Sequence, residues 1–183
     1  MEKIKTILNE MGILSEQQKF RYGCVMLYFG FPDMDKVHNL IDPNDLYEED
    51  GEDYGFETEP HVTLLFGLHK GVPTSTVEKV LDDRTFYTCK GHNASIFENE
   101  KYDVLKFDIE GDGLHEINDE LKKQPHTSDF PDYHPHMTIA YLKPGKGKKY
   151  IKMLKGMKYQ LPPKYAVYSK PNGTKNKITI KVD

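Results

Sequence analysis

The sequence predicts an α+β fold of two similarly wired halves, and three observations carry that prediction. Strand-patterned and helix-patterned stretches alternate along the chain, several strand stretches adjoin as hairpins, and one motif strand occurs twice with a helix after each copy. The first copy is Pro60-His61-Val62-Thr63-Leu64-Leu65-Phe66. The second is Pro135-His136-Met137-Thr138-Ile139-Ala140-Tyr141, lying 136 − 61 = 75 residues downstream. With 8 His and 11 Thr in 183 residues, chance supplies roughly 0.5 His-x-Thr, and roughly 0.03 once Pro must precede the His. Two copies, each running on into three apolar residues, are a repeat.

Taken in order, residues 1–20 predict an amphipathic helix, with Ile4, Ile7, Leu8, Met11 and Leu14 on one stripe. Tyr22 to Phe29 is a nearly continuous apolar run and reads as a central strand. Asp33 is placed to cap a short helix carrying Met34, Val37, Leu40 and Ile41. Residues 42–59 form an acidic loop with a helical turn near Leu46, and loops of this length tend to be lids, binding segments or disordered. The first motif strand follows. A helix comes next on Val77, Val80 and Leu81, with Ser75 and Glu78 spaced as a capping box. Phe86–Phe97 and Tyr102–Glu110 predict a hairpin whose second strand is half exposed. Gly113 to Gln124 is the clearest helix, stopped by Pro125. After the second motif strand come a basic helix over Lys146–Lys158 and a closing hairpin of Lys164–Lys170 and Thr174–Val182 around Pro171-Asn172-Gly173. The whole, residues 1–183, is expected to be a single two-lobed domain.

Charged residues make up 30% of the chain and the mean hydropathy is −0.68. No run approaches the ~18 apolar residues of a membrane span. The N-terminus lacks an apolar core followed by a cleavage site. The 2 cysteines, Cys24 and Cys89, show no pair spacing and read as reduced thiols. A cytoplasmic protein without membrane association is the expectation, and no Cys or His spacing suggests a zinc site. The net charge of −4 hides an asymmetry: seven acids and no base lie between Glu48 and Glu59, while twelve lysines and one acid lie between Lys143 and Asp183. That division suits a small phosphate-bearing ligand better than duplex DNA.

Side chains at i and i+2 of a strand share a face. His61 and Thr63 therefore project together, opposite Val62 and Leu64. His136, Thr138 and Ala140 are expected on one face of the second copy, with Met137, Ile139 and Tyr141 on the other. Each strand thus offers an imidazole and a hydroxyl about 7 Å apart, enough to bracket one tetrahedral anion.

This pair of His-x-Thr strands resembles the two-histidine phosphoesterases, which include the LigT-type RNA 2′,3′-cyclic phosphodiesterases. The resemblance implies two pseudo-symmetric lobes, each an antiparallel sheet with flanking helices, facing one another across a central cleft that carries both motifs. It implies no metal and no other cofactor. It also implies a catalytic set of His61, Thr63, His136 and Thr138. One imidazole would take a proton from the attacking hydroxyl and the other would protonate the departing oxygen, while the threonines bind non-bridging phosphate oxygens. Near-symmetry leaves open which histidine does which.

Residues 61–68, His61-Val62-Thr63-Leu64-Leu65-Phe66-Gly67-Leu68, are further similar to phage anti-CBASS phosphodiesterases, which cleave cyclic di- and trinucleotide messengers of antiviral defence. That implies a small cyclic oligonucleotide as partner; RNA 2′,3′-cyclic ends and 2′,5′-linked oligonucleotides are the alternatives within the class. A nucleotide-binding module that does no chemistry is the alternative outside it. For a nucleotide ligand, Tyr22 and Tyr133 are the expected base-stacking residues.

Overall fold

In the computed structural model, which describes residues 22–49, 54–128 and 132–183, the apolar run after Tyr22 becomes strand β1 (Gly23–Phe29). It lies inside a four-stranded antiparallel sheet with β2 (His61–Leu68), β8 (Pro163–Ser169) and β9 (Lys175–Ile178), in the order β2-β1-β8-β9. A second antiparallel sheet contains β4 (Cys89–Glu98), β5 (Asp103–Glu110), β6 (His136–Leu142) and β7 (Tyr159–Leu161), in the order β6-β5-β4-β7. Short strands β3 (Thr85–Phe86) and β10 (Lys181–Val182) pair in parallel. Helices α1 (Met34–His38), α2 (Thr74–Asp82), α3 (Leu114–Lys122) and α4 (Gly147–Met153) flank the sheets. The α+β class is as the sequence predicts, and the two antiparallel sheets are as the resemblance implies.

Each motif strand sits at the end of its sheet, and the two ends meet, β2 against β6. Behind them one apolar cluster joins Val25, Leu27 and Val62 of the first sheet to Leu105, Phe107 and Met137 of the second. Val77 and Leu81 of α2 and Leu114, Ile117 and Leu121 of α3 complete it. The helical stripes read from sequence are the faces that reach this core.

Both motif strands carry a β-bulge in the same place, one residue after the threonine. In β2 the register passes from Thr63↔Met26 to Leu65↔Val25, leaving Leu64 extra. In β6 it passes from Thr138↔Lys106 to Ala140↔Leu105, leaving Ile139 extra. A bulge breaks period-2 alternation, which corrects the expected faces of the second copy. Ala140 joins the core with Met137 and Ile139. Tyr141 turns to the other face, where it packs with Tyr102 and Val104. The bulge also explains why three apolar residues follow each threonine: two consecutive ones face the core and the third the opposite cluster.

Several boundaries differ from expectation. The helix at 1–20 lies outside the described residues. Helix α2 starts at Thr74 with Pro73 as its N-cap and no side-chain cap bond, so Ser75 and Glu78 do not form a capping box. Strand β5 is flanked on both sides, and only Asp108 and Glu110 of it escape burial; the half-exposed reading is overturned. The basic helix ends at Met153, leaving Met157 partly exposed. The last strand is broken in two, β9 ending at Ile178 and β10 turning to β3. Strand β7 has no clear signal in its three residues.

The acidic loop contains the expected turn, a 3₁₀ helix at Pro43–Asp45. Its described ends run along the outer edge of β6. Tyr47 N–H donates to Tyr141 O at 2.9 Å, Tyr141 N–H to Gly55 O at 2.8 Å, and Glu57 N–H to Ile139 O at 2.9 Å. The loop thereby covers a strand edge that would otherwise expose unpaired backbone groups.

Candidate active site

A proline ahead of each motif histidine sets its local geometry. Phe29 N–H of β1 donates to Pro60 O, and Ile109 N–H of β5 donates to Pro135 O, each at 2.9 Å. The residue before each proline then holds the ring: His61 Nδ1 lies 2.7 Å from Glu59 O, and His136 Nδ1 lies 2.9 Å from His134 O. A carbonyl only accepts, so Nδ1 carries the hydrogen in both rings and Nε2 is left as the position that can exchange a proton. The two half-sites match in ring, tautomer and anchoring carbonyl.

The four motif side chains line one cavity of about 630 Å³ where β2 and β6 meet. His61, buried at 6% exposure, lies against the Tyr28 ring, 5.2 Å between centroids. His136 meets the Phe97 ring edge-on at 5.2 Å. Thr63 hydrogen-bonds with the Cys24 side chain, whose thiol burial pushes up to about 12. Burial pushes His136 down to about 4; the His134 carbonyl opposes this, while Lys106 and His61 add to it. Among the described residues, no group of three or more His, Cys, Asp or Glu side chains is spaced to hold a metal ion.

Of the two expected stacking tyrosines, Tyr133 lines the cavity, with its hydroxyl donated to Thr63 O at 3.0 Å. Tyr22 does not line it. It stacks on His69 at 5.8 Å and meets Phe66, a lining residue, edge-on at 6.0 Å, one layer away. The cavity also contains residues that the sequence reading passed over: Phe97, Lys106, Asp108, Asn118 and Lys122. Lys106 had a readable signal, a lone cation between Leu105 and Phe107 in an otherwise apolar stretch. Asn118, on the buried stripe of α3 beside Ile117, had another. Its Nδ2 donates to Leu64 O at 2.6 Å, capping the carbonyl of the bulged residue.

Two antiparallel sheets meet at a pair of His-x-Thr strands, the arrangement that the resemblance to the two-histidine phosphoesterases implies. The pattern of the family described as "Anti-CBASS protein Acb1" matches residues 56–162, more than half of the chain and both motifs. The chain belongs to that family. No curated protein matches it. Among solved structures, one described as "Crystal structure of phosphoesterase" aligns at a TM-score of 0.44 and 12% identity, over 86% of this chain and 95% of that one.

Proposed function

We propose that this protein is a phosphodiesterase that cleaves small cyclic oligonucleotides by acid–base chemistry on His61 and His136, in the cytoplasm of a cell mounting CBASS defence, with residues 1–183 acting as one domain. The observation that carries the reading is the matched anchoring of the two imidazoles. Each has Nδ1–H held by a carbonyl and Nε2 left for proton exchange, and each has a threonine two residues on in the same cavity.

A neutral imidazole takes the proton of the attacking water or ribose 2′-OH, and an imidazolium delivers one to the departing oxygen. Thr63 and Thr138 donate to non-bridging oxygens as negative charge grows there. Two imidazoles supply both proton transfers, so no metal ion is required of the scheme. The family supports that substrate class, and so does the cavity, whose volume suits a small nucleotide and not a duplex.

The test is incubation, with EDTA present, against 3′,3′-cGAMP, cyclic trinucleotides, RNA 2′,3′-cyclic ends and 2′,5′-oligoadenylate. His61→Ala and His136→Ala run alongside. Cleavage of the cyclic messengers, lost by at least about 10²-fold in each variant, is expected. Cleavage of only the RNA ends or the 2′,5′ linkage would reassign the substrate. Full activity in either variant would sink the mechanism.

A further inference from the structure

The repeat is close at the motif strands and stops at the strands beside them. In an antiparallel pair, residues directly opposite share a face. Opposite His61 and Thr63 in β1 stand Tyr28 and Met26. Opposite His136 and Thr138 in β5 stand Asp108 and Lys106. One half-site is therefore built against a phenol and a thioether, the other against a carboxylate and an ammonium.

Lys106 is the unusual member of this set. It is 8% exposed, in a strand whose neighbours Leu105 and Phe107 are fully buried. Its Nζ passes 4.5 Å from the Phe97 ring centroid and lies 3.3 Å from Asp108 Oδ1, and the residue lines the cavity shared by the four motif side chains. Burying an ammonium is costly unless it is well paired. Asp108 pairs it only in part, since that carboxylate is 45% exposed at its side chain and one contact leaves further ammonium donors. An apolar residue would pack here without that cost, as Met26 does at the corresponding place in the other half-site, where it is 1% exposed. The ammonium is best matched by an anion entering the cavity.

We infer that Lys106 is a direct contact of the scissile phosphate, present in one half-site only, and that it gives the near-symmetric site its direction, with His136 accepting the proton and His61 donating it. The inference rests on the phosphodiesterase reading and deepens it. The groups that face His136 are Lys106 and Asp108 from β5, His61 from β2, the Phe97 ring from β4 and the His134 carbonyl. A fixed cation beside an imidazole favours its neutral form, which is the form a base needs, and at His136 the Lys106 charge outweighs the opposite pull of the Asp108 carboxylate. In the reaction the nucleophile's proton passes to His136 Nε2 and its oxygen forms the new P–O bond. The departing oxygen leaves with the electron pair of the broken P–O bond and takes the proton of His61 Nε2; solvent then restores both rings. Lys106 meets the charge that accumulates on the non-bridging oxygens.

The decisive variants are Lys106→Met, which copies the other half-site, and Lys106→Arg, which keeps the cation. With a cyclic dinucleotide substrate, Lys106→Met is expected to lower kcat/KM about 10²-fold, mainly in kcat, with Lys106→Arg recovering most of the loss. The acidic limb of the kcat/KM profile should move to higher pH in Lys106→Met, because removing the cation lets His136 protonate more readily. A residue that only packs would not move that limb. An unchanged kcat/KM in Lys106→Met, or equal losses in both variants with the limb unmoved, would overturn the proposal.

A second measurement needs no catalysis: inorganic phosphate titrated against the His136 ring resonances. Saturable binding to the wild type, weakened at least about 10-fold in Lys106→Met and retained in Lys106→Arg, is expected. No saturable binding, or equal binding to wild type and Lys106→Met, overturns the inference whatever the activity. If no substrate is cleaved and phosphate binding still depends on Lys106, the phosphodiesterase reading fails and the anion contact stands.

Discussion

Tyr133 donates its hydroxyl to the backbone carbonyl of Thr63 at 3.0 Å, so the loop leading into the second motif is tied to the strand bearing the first. Burial holds that phenol well above the ordinary tyrosine range, so it remains a donor across the working pH. Tyr133→Phe keeps the ring in the cavity wall and deletes only the tie. It is expected to cost about 1 kcal/mol of stability, read by urea denaturation, and to lower kcat with little change in KM. An unchanged kcat would show that the tie does not position the motif.

The same loop passes over the end of β2 at Gly67. Thr127 N–H donates to Gly67 O at 2.9 Å, and a Cβ on Gly67 would run into the Thr127 carbonyl. Gly67 also has φ of +113°, a region that side chains avoid. Gly67→Ala therefore meets both backbone strain and a clash, and a loss of at least about 2 kcal/mol is expected. Thermal unfolding of the variant is the check, and a melting temperature equal to wild type would contradict the crossing.

Why some of this was legible and some not follows from particular residues. The repeat was readable because the same short run builds the same local geometry twice: a proline whose carbonyl bonds the neighbouring strand, a histidine, a threonine and three apolar residues. Strands and amphipathic helices were readable because burial imposes their periods on the sequence. The bulges at Leu64 and Ile139 were not. Both residues are apolar whether or not the register slips, so alternation assigned Ala140 and Tyr141 to the wrong faces. Lys106 was passed over because a lysine in a strand usually signals a solvent face. Only the covering of β5 on both sides shows that this one points into a buried cleft.

Acidification should weaken the fold through two histidines. His136 is pushed down to about 4 by burial, with the Lys106 charge adding to it. His38, stacked on Phe56 at 4.4 Å, is also lowered by burial. In each case the unfolded chain takes up a proton near the ordinary histidine value of about 6.5, before the folded chain does. Their contribution is therefore whole above about pH 6.5. It declines as pH falls toward each folded value, and for His136 it levels off near pH 4 after a loss of up to about 3 kcal/mol. A series of urea midpoints from pH 7.5 to 4 tests this. His38→Gln should flatten part of the slope and His136→Gln a larger part; parallel curves for wild type and both variants would refute it.

Helix α3 supports a motif strand of the other sheet. A bulge leaves a backbone group outside the ladder, and at Leu64 that group is a carbonyl capped by Asn118 Nδ2 at 2.6 Å. Because a carbonyl cannot donate, the amide orientation is fixed. Asn118 Oδ1 is then left buried with no hydrogen-bond partner, so the residue contributes as a donor and bears a cost as an acceptor. Asn118→Leu removes both, leaving Leu64 O uncapped, and should cost about 1 to 3 kcal/mol. Asn118→Asp sets a carboxylate against the carbonyl and should cost more, with the deficit easing as pH falls and the acid regains a proton to donate. Leu64 directly follows Thr63, so both variants should also lower kcat/KM, and their activity deficits should rank as their stability deficits do. Stability losses without any effect on turnover would mean that Thr63 keeps its place independently of the bulge behind it.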